Sequence, residues 1–452
     1  MGEPAPIAES RWRVLPVGLG PALQRQALRA SVHVMVGLGV LFGTVVVAGI
    51  VSEELLSDSE AGSTIDLAGR ASLAGMLILL VLAFLALGVL GALEGPLMAR
   101  ALARRLDEGV PAADVPAPGQ WAEATEPSAR AYRIIAIVLL CVLGLVHLIV
   151  IAAMLESGID AVGLAVIAAG LLVLGLIGAG IPLFEKVLGA RQERTAQRLR
   201  AHWTEPHRII AAGRALTAED VAAARGVDGP EVLPGAGARR LGGAALGVLG
   251  ASAAVGLLAL QLMFALAYPD RERWSGGRAG ERAELDPRGE QLVDLVVAGV
   301  GVCGALVLLC LLLALACEVL ARRAEMRAVR TALADPAAPP PAIALLRSLF
   351  AAGAPRLLLA MHSLAGALAA IGLGLWVVPI GEDGPSWEIY SSAGPTLRSL
   401  DAQAPLVLVG AIMVLAAGIL LAAVLDVREQ RLRDELVRRW PMRADPSPAA
   451  EA

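Results

Sequence analysis

Residues 161–184 read AVGLAVIAAGLLVLGLIGAGIPLF, without one charged side chain. At about 1.5 Å of rise per residue, roughly twenty helical residues cross the ~30 Å of hydrocarbon in a bilayer. This run is long enough to do so. Seven more lie outward from it, at 31–51, 71–93, 134–154, 241–267, 294–317, 357–380 and 405–425. Only Leu155–Asp160 separates 134–154 from 161–184. The Glu156, Ser157, Gly158 and Asp160 of that loop favour a turn over one long helix. The expected fold is all-α, a polytopic membrane bundle of about eight transmembrane helices.

Composition points the same way. The chain has 452 residues, 57% of them hydrophobic and 18% charged, against about 25% charged in soluble domains. The net charge of −4 is too small to suggest nucleic-acid binding. Lys186 is the only lysine among 38 basic residues, and with the abundance of Ala, Gly and Arg this suggests a GC-rich bacterial genome. All four cysteines, Cys141, Cys303, Cys310 and Cys317, lie inside apolar runs, which argues against a disulfide framework. The first 30 residues are polar and hold Arg11, Arg13, Arg25 and Arg29. The apolar run after them is too long for a signal peptide and reads as an anchor.

Arginine distribution orients the runs. With the N-terminus inside, the outer loops hold seven of the 38 basic residues, leaving 31 inside. This predicts cytoplasmic N- and C-termini and a bacterial inner membrane as the location. The eight runs then pair into four tandem hairpins. An arginine precedes the first helix of each: Arg29, Arg133, Arg240 and Arg356. An aspartate stands near the start of each second helix: Asp66, Asp160, Asp294 and Asp401. An acid marks each inner exit: Glu94, Glu185, Glu318 and Asp426, at spacings of 28, 25, 24 and 25 from those aspartates. An aspartate at a helix start caps free N–H groups and meets the positive end of the dipole. Beyond the exit acids the pattern stays helical and turns basic, which predicts cytoplasmic helical extensions of the second helices. The positive-inside rule alone would also account for the basic residues.

The chain divides into an N-terminal segment 1–30, hairpin 1 at 31–110, a linker 111–130, and hairpin 2 with its extension at 131–225. A linker 226–238, hairpin 3 at 239–334, a linker 335–354, hairpin 4 at 355–440 and a disordered tail 441–452 follow. The linkers are rich in Pro, Ala and Gly, and none is large enough for a separate soluble domain. Residues 201–225 read as one or two short surface helices.

No P-loop, paired CxxC, HExxH or GxSxG motif is present, so no catalytic residue, cofactor or metal is expected and the chain reads as non-enzymatic. His202 and His207 flank Glu205, where an exposed loop is favoured over a metal site. Cys303, Cys310 and Cys317 recur every seven residues near one helix face, favouring a packing role over metal or redox chemistry. Polar side chains inside a bilayer are costly and tend to face protein or water. They concentrate on the first helices as His33, Thr44, His147, Ser252, Gln261, His362 and Ser363. First helices are therefore expected to face the bundle interior and second helices lipid. For the histidines, packing is favoured over a proton relay. The inner-border acids Glu94, Glu185, Glu318 and Asp426 have arginines after them as ion-pair partners. Trp274, Trp387 and Tyr390, in outer loops, read as interface anchors.

Gly37-Leu-Gly-Val-Leu-Phe-Gly-Thr-Val45 resembles the glycine-rich first helix of the MotA/TolQ/ExbB proton-channel family. Gly170-Leu-Leu-Val-Leu-Gly-Leu-Ile-Gly-Ala-Gly-Ile-Pro182, followed by Leu188-Gly-Ala-Arg191, resembles the family's second helix and its basic continuation. Asp286-Pro-Arg-Gly-Glu-Gln-Leu-Val-Asp294 is similar to the lead-in to that helix. The resemblance implies helical hairpins that assemble around, or beside, a single-span membrane partner, or with copies of themselves. The hydroxyl pair of the family's second helix is missing from all four hairpins, and four hairpins in one chain are unusual for the family. Only Thr44 carries over. The resemblance thus implies a scaffold or stator-like, non-conducting relative, the alternative being a transporter or channel built from repeated hairpins.

Overall fold

The computed structural model describes residues 11–56, 60–157, 161–212, 233–267, 287–350, 355–377 and 393–440. Seven helices among the described residues are long and apolar enough to cross a membrane. The remaining expected run, 241–267, lies in helix Ala236–Ala267, whose last side chains are outside the described residues. The side chains of Gln261, Asp66 and Asp401 likewise lie outside them, as do Asp160, Trp274, Trp387 and Tyr390. A band of Leu, Ile and Val is exposed along these helices, among them Leu148, Leu172, Leu309 and Leu406. Water would not tolerate such a surface, whereas lipid does. The chain is a helical, multi-pass membrane protein.

The elements run in order as β1 (Arg11–Arg13), α1 (Leu19–Leu56), α2 (Glu60–Asp107), β2 (Asp114–Pro116), α3 (Pro118–Thr125), α4 (Ala129–Ser157) and α5 (Ala161–Leu183). A π-helical turn (Phe184–Gly189), α6 (Ala190–Ala212), α7 (Ala236–Ala267), α8 (Pro287–Ala334), α9 (Ile343–Phe350), α10 (Pro355–Val377) and α11 (Ala393–Arg439) follow. Helices α2, α8 and α11 are unbroken over 48, 48 and 47 residues. At about 1.5 Å per residue each measures roughly 70 Å, more than twice the hydrocarbon thickness. Pro182 lies two residues before the π turn, and the helix continues through both into α6.

Helices α1, α2, α10 and α11 pack mutually into a central bundle. Its apolar interior holds Val34, Leu38, Leu41, Met76, Ala83 and Ala370. Helix α4 packs on the outside of α2 around Tyr132 and Ala136, and α5 packs on α4. Helices α7 and α8 pack chiefly on each other, with lesser contacts to α2 and α11. Burial therefore divides by position in the bundle. Both the first and second helices of 31–110 and 355–440 are central, while α4 and α5 are mostly exposed.

The arginine-rich end carries structure that composition conceals. Residues 111–130 contain β2, which pairs in parallel with β1 so that Trp12 faces Val115, and then α3. A three-residue strand is too short to show a two-residue period. Residues 335–354 hold α9, whose Leu345, Leu346 and Leu349 are buried against Leu432 and Leu436. Residues 201–212 are no surface piece, because they continue α6 and fully bury Trp203 in a cluster with Trp12, Leu102, Leu199 and Val115. His202 and His207 accordingly sit on a helix, not in an exposed loop. The His207 ring stacks on Trp121 and meets the Trp12 ring edge-on at 4.7 Å.

Glycine sets the closest helix approaches. A Cβ on Gly75 of α2 would collide with the backbone of Ala370 and Gly374 on α10, and one on Gly37 of α1 with the Ser363 backbone. Gly39, two residues on, meets nothing within 4 Å. Gly75→Val is expected to destabilise the protein by more than the about 1–3 kcal/mol of ordinary overpacking, because backbone cannot yield. Gly39→Ala should be neutral to slightly stabilising, and thermal melts in detergent would compare the two directly.

Candidate functional site

Arg25, Arg29 and His33 recur every four residues and share one face of α1, where Arg25 and His33 are half-buried and Arg29 is exposed. His33 meets His362 of α10 with Nδ1 to Nδ1 at 3.2 Å and ring centroids 5.4 Å apart. A neutral pair needs one donor and one acceptor across that contact, so the two rings adopt opposite tautomers at Nδ1. The Ser363 hydroxyl donates to the His33 carbonyl at 2.8 Å, tying the same two turns together. His362 is fully buried, and its Nε2 has no hydrogen-bond partner among the described residues. That nitrogen faces Gly418 of α11, where a Cβ would stand 2.7 Å away. The glycine is required for the imidazole to fit.

About two turns towards the arginine-rich end, the same bundle closes on an ion-pair network. On α11, Asp426, Glu429, Gln430, Arg433 and Asp434 follow an i, i+3, i+4, i+7, i+8 pattern, and all five are buried. Arg433 uses three nitrogens: Nη1 to Asp426 at 2.5 Å, Nη2 to Glu429 at 3.1 Å and Nε to the Leu349 carbonyl at 2.7 Å. Arg322 of α8 forks onto Glu429 and also reaches Glu325, which Arg239 of α7 meets at 2.5 Å. Arg25 of α1 reaches Asp426 at 3.2 Å and Glu123 of α3 at 3.9 Å. Arg13 of β1 forks onto Asp434 with two bonds of 2.6 Å and donates to Asp114 of β2 at 2.5 Å. The network thus ties α11 to β1, β2, α1, α3, α7, α8 and α9.

Arg13 and Glu123 are both shifted from their ordinary ranges. Hydrogen bonding to Asp434 is the main cause of the further rise in the proton affinity of Arg13, and Asp114 adds to it. Burial pushes the Glu123 carboxyl up, against the pull of Arg25. An acid with raised folded-state affinity makes the fold bind more protons than the unfolded chain. Its contribution to stability is therefore full below the ordinary carboxylate range and is lost as pH rises through the raised value.

The residues singled out by sequence separate in space. His33 and His362 come together, from the first and last hairpins. Thr44 bonds its own helix, donating to the Leu41 carbonyl at 2.7 Å. His147 packs against Gly170 across the α4–α5 contact. Of the four inner-border acids, Asp426 alone is buried in the network. Glu94 is half-buried near Arg25 and Arg29, and Glu318 is half-buried on α8. Glu185 is exposed and pairs with Arg133 at 3.4 Å, so the partner comes from the preceding helix and not from a following arginine. Cys303 and Cys317 lie opposite Gly256 and Gly242 across α7 and α8, where a Cβ on either glycine would crowd the cysteine Cβ at 3.0 and 3.1 Å, and Cys310 is buried between them. Among the described residues no three His, Cys, Asp or Glu side chains converge as metal ligands.

The sequence analysis did not single out Glu123, Glu325, Glu429, Asp434, Gln26 and Gln430, whereas Asp426 does pair with a following arginine, Arg433. The signal for the α11 members was there in mixed acid and base at helical spacing over 426–438, where the other extensions are mainly basic. No protein-family model, curated protein or solved structure matches this chain.

Removing Arg433 takes one of two arginine partners from each of the buried Asp426 and Glu429 and leaves the Leu349 carbonyl without that donor. Arg433→Met is expected to cost about 3–5 kcal/mol, whereas Arg133→Ala, which breaks an exposed pair, should cost about 0–1 kcal/mol. Glu123→Gln should raise the melting temperature at neutral pH, with the gap to wild type closing near about pH 4. Melting curves across pH check both.

Proposed function

We propose that this chain is a non-enzymatic scaffold or stator-like subunit of a bacterial inner membrane, a distant, non-conducting relative of the MotA/TolQ/ExbB proton channels. Four tandem hairpins make up its body, with the basic helical extensions and both termini in the cytoplasm, as the arginine bias requires. The observation that carries the reading is the ion-pair network on α11. It joins seven other elements through charges that are largely removed from water. Sliding any of these elements would strand a buried charge at a cost of about 3–5 kcal/mol. A chain that alternates between two arrangements would need that network to break in each cycle. One that holds partners in register benefits from its rigidity. The resemblance in Gly37–Val45 and Gly170–Pro182 supplies the kind of partner, a single-span membrane protein.

One observation favours a second reading, a secondary transporter or channel. The His33–His362 pair is a polar contact deep in the central bundle, and such contacts mark ion and proton pathways in membrane proteins.

Affinity purification of the tagged chain in mild detergent, with native mass spectrometry of the product, decides between them. A single-span partner at fixed stoichiometry is the expected result. A solitary monomer or simple homo-oligomer would overturn the scaffold reading and leave the transporter.

A further inference from the structure

Four buried polar atoms, three in the central bundle and one on the neighbouring α3, have no hydrogen-bond partner among the described residues. They are Gln26 Nε2 on α1, Gln430 Nε2 on α11, Glu123 Oε2 on α3 and His362 Nε2 on α10. Gln26, Gln430 and His362 are only 1%, 2% and 1% exposed. An amide donor or imidazole nitrogen sealed away from water without a partner costs about 1–3 kcal/mol. Three such groups in one bundle need a common explanation.

Their placement provides it. Gln26 and His33 are seven residues apart and so share a face of α1, with Ala22 and Ala30 buried on the same side. On α11 the row Gly418, Ala422, Asp426 and Gln430 runs down one side over about 18 Å. The two rows lie antiparallel. Gly418 stands at the His362–His33 pair, Asp426 at Arg25, and the Gln430 carbonyl oxygen accepts from the Val17 N–H at 3.1 Å. Between these contacts stand Ala30 and Ala422, both nearly fully buried. The unsatisfied donors and acceptors are the partners a bound internal water needs, and the alanines leave more of the interface free than larger side chains would. At the other side of the histidines the character changes. Val34, Leu38, Leu41, Met76 and Ala370 close the bundle with apolar groups.

We propose that a file of bound water occupies the arginine-rich half of the central bundle, from Glu123 and Gln430 past Gln26 to the His33–His362 pair. Its ligands are water and, through water, the proton. The file opens towards the arginine-rich end and stops at the apolar cluster beyond the histidines. It is thus a half-path, able to equilibrate the histidine pair with one side of the membrane only. The charged and titratable groups along it are Arg25 and Arg29 of α1, Glu94 of α2, Glu123 of α3, and Asp426 and Arg433 of α11. The inference is independent of any partner, so it can fail while the scaffold reading stands.

Radiolytic hydroxyl-radical footprinting of the wild-type protein in nanodiscs tests it, because radicals formed from bound water mark the side chains beside that water. His33 and His362 are expected to be modified while Met76, intrinsically more reactive but inside the apolar cluster, is spared. Histidines as unmodified as Met76 would overturn the proposal. A second measurement uses cysteines at Ala422 and Ala30 in a cysteine-free background, exposed to a small charged methanethiosulfonate. Reaction needs the hydrated thiolate, so Ala422→Cys and Ala30→Cys should react at least about tenfold faster than Ala370→Cys. Equal rates would contradict the file. Adding Gln26→Leu and Gln430→Leu to Ala422→Cys should slow its labelling towards the Ala370→Cys rate, and undiminished labelling would also count against it.

Discussion

Arg433 lies near the arginine-rich end of α11, and nearly all of its guanidinium is out of water. A charge in that position is tolerable only if every nitrogen has an acceptor. Two acids of its own helix and the carbonyl of Leu349 provide them. Those acids still have lone pairs to fill, which Arg25 and Arg322 do from α1 and α8. The requirement passes outward in this way until it reaches β1 and β2 through Arg13 and Asp434. Hydrophobic burial cannot organise this protein inside the bilayer, because lipid is as apolar as a leucine side chain. At the arginine-rich end burial works again, and the network together with the Trp203 and Leu346 clusters fixes how the hairpins stand to one another.

Inside the bilayer, close packing takes over. Gly37, Gly75 and Gly418 let α1, α2, α10 and α11 approach until only hydrogen or a histidine ring fits between them. The first and last hairpins, separated by more than 200 residues of sequence, become neighbours for that reason. Their union brings His33 to His362. It also places an apolar cluster on one side of the pair and unsatisfied amides on the other.

The membrane helices were legible because their cause is local. A run such as 161–184 has one physical solution in a bilayer, and each expected run falls inside or largely inside a helix, although α1, α2 and α11 begin at Leu19, Glu60 and Ala393, well before the runs at 31, 71 and 405. Which hairpins form the centre was not legible, since the four look alike in composition and the difference lies in which glycines find a facing backbone. His33 and His362 could be picked as costly polar residues, but their partnership is a long-range fact. Asp426 could be picked from its spacing, yet Glu94, Glu185 and Glu318, at equivalent spacings, meet quite different surroundings. The layer of β1, β2, α3 and α9 escaped notice for another reason. Elements of three to eight residues carry too little periodicity to stand out from proline-rich linkers, and tertiary burial alone holds them in shape.

The central claim is that the first and last hairpins form one bundle. It predicts that Val34 and Gly366 face each other, since a Cβ on Gly366 would lie 3.3 Å from that of Val34, close to the roughly 3.5–4.5 Å of a disulfide. The direct measurement is oxidation of a Val34→Cys, Gly366→Cys variant in native membranes, in a background without other cysteines and with a protease site inserted between the second and third hairpins. After cleavage, the two halves should migrate together without reductant and apart with it. Halves that separate without reductant, although the chain is intact in the membrane beforehand, would contradict the account.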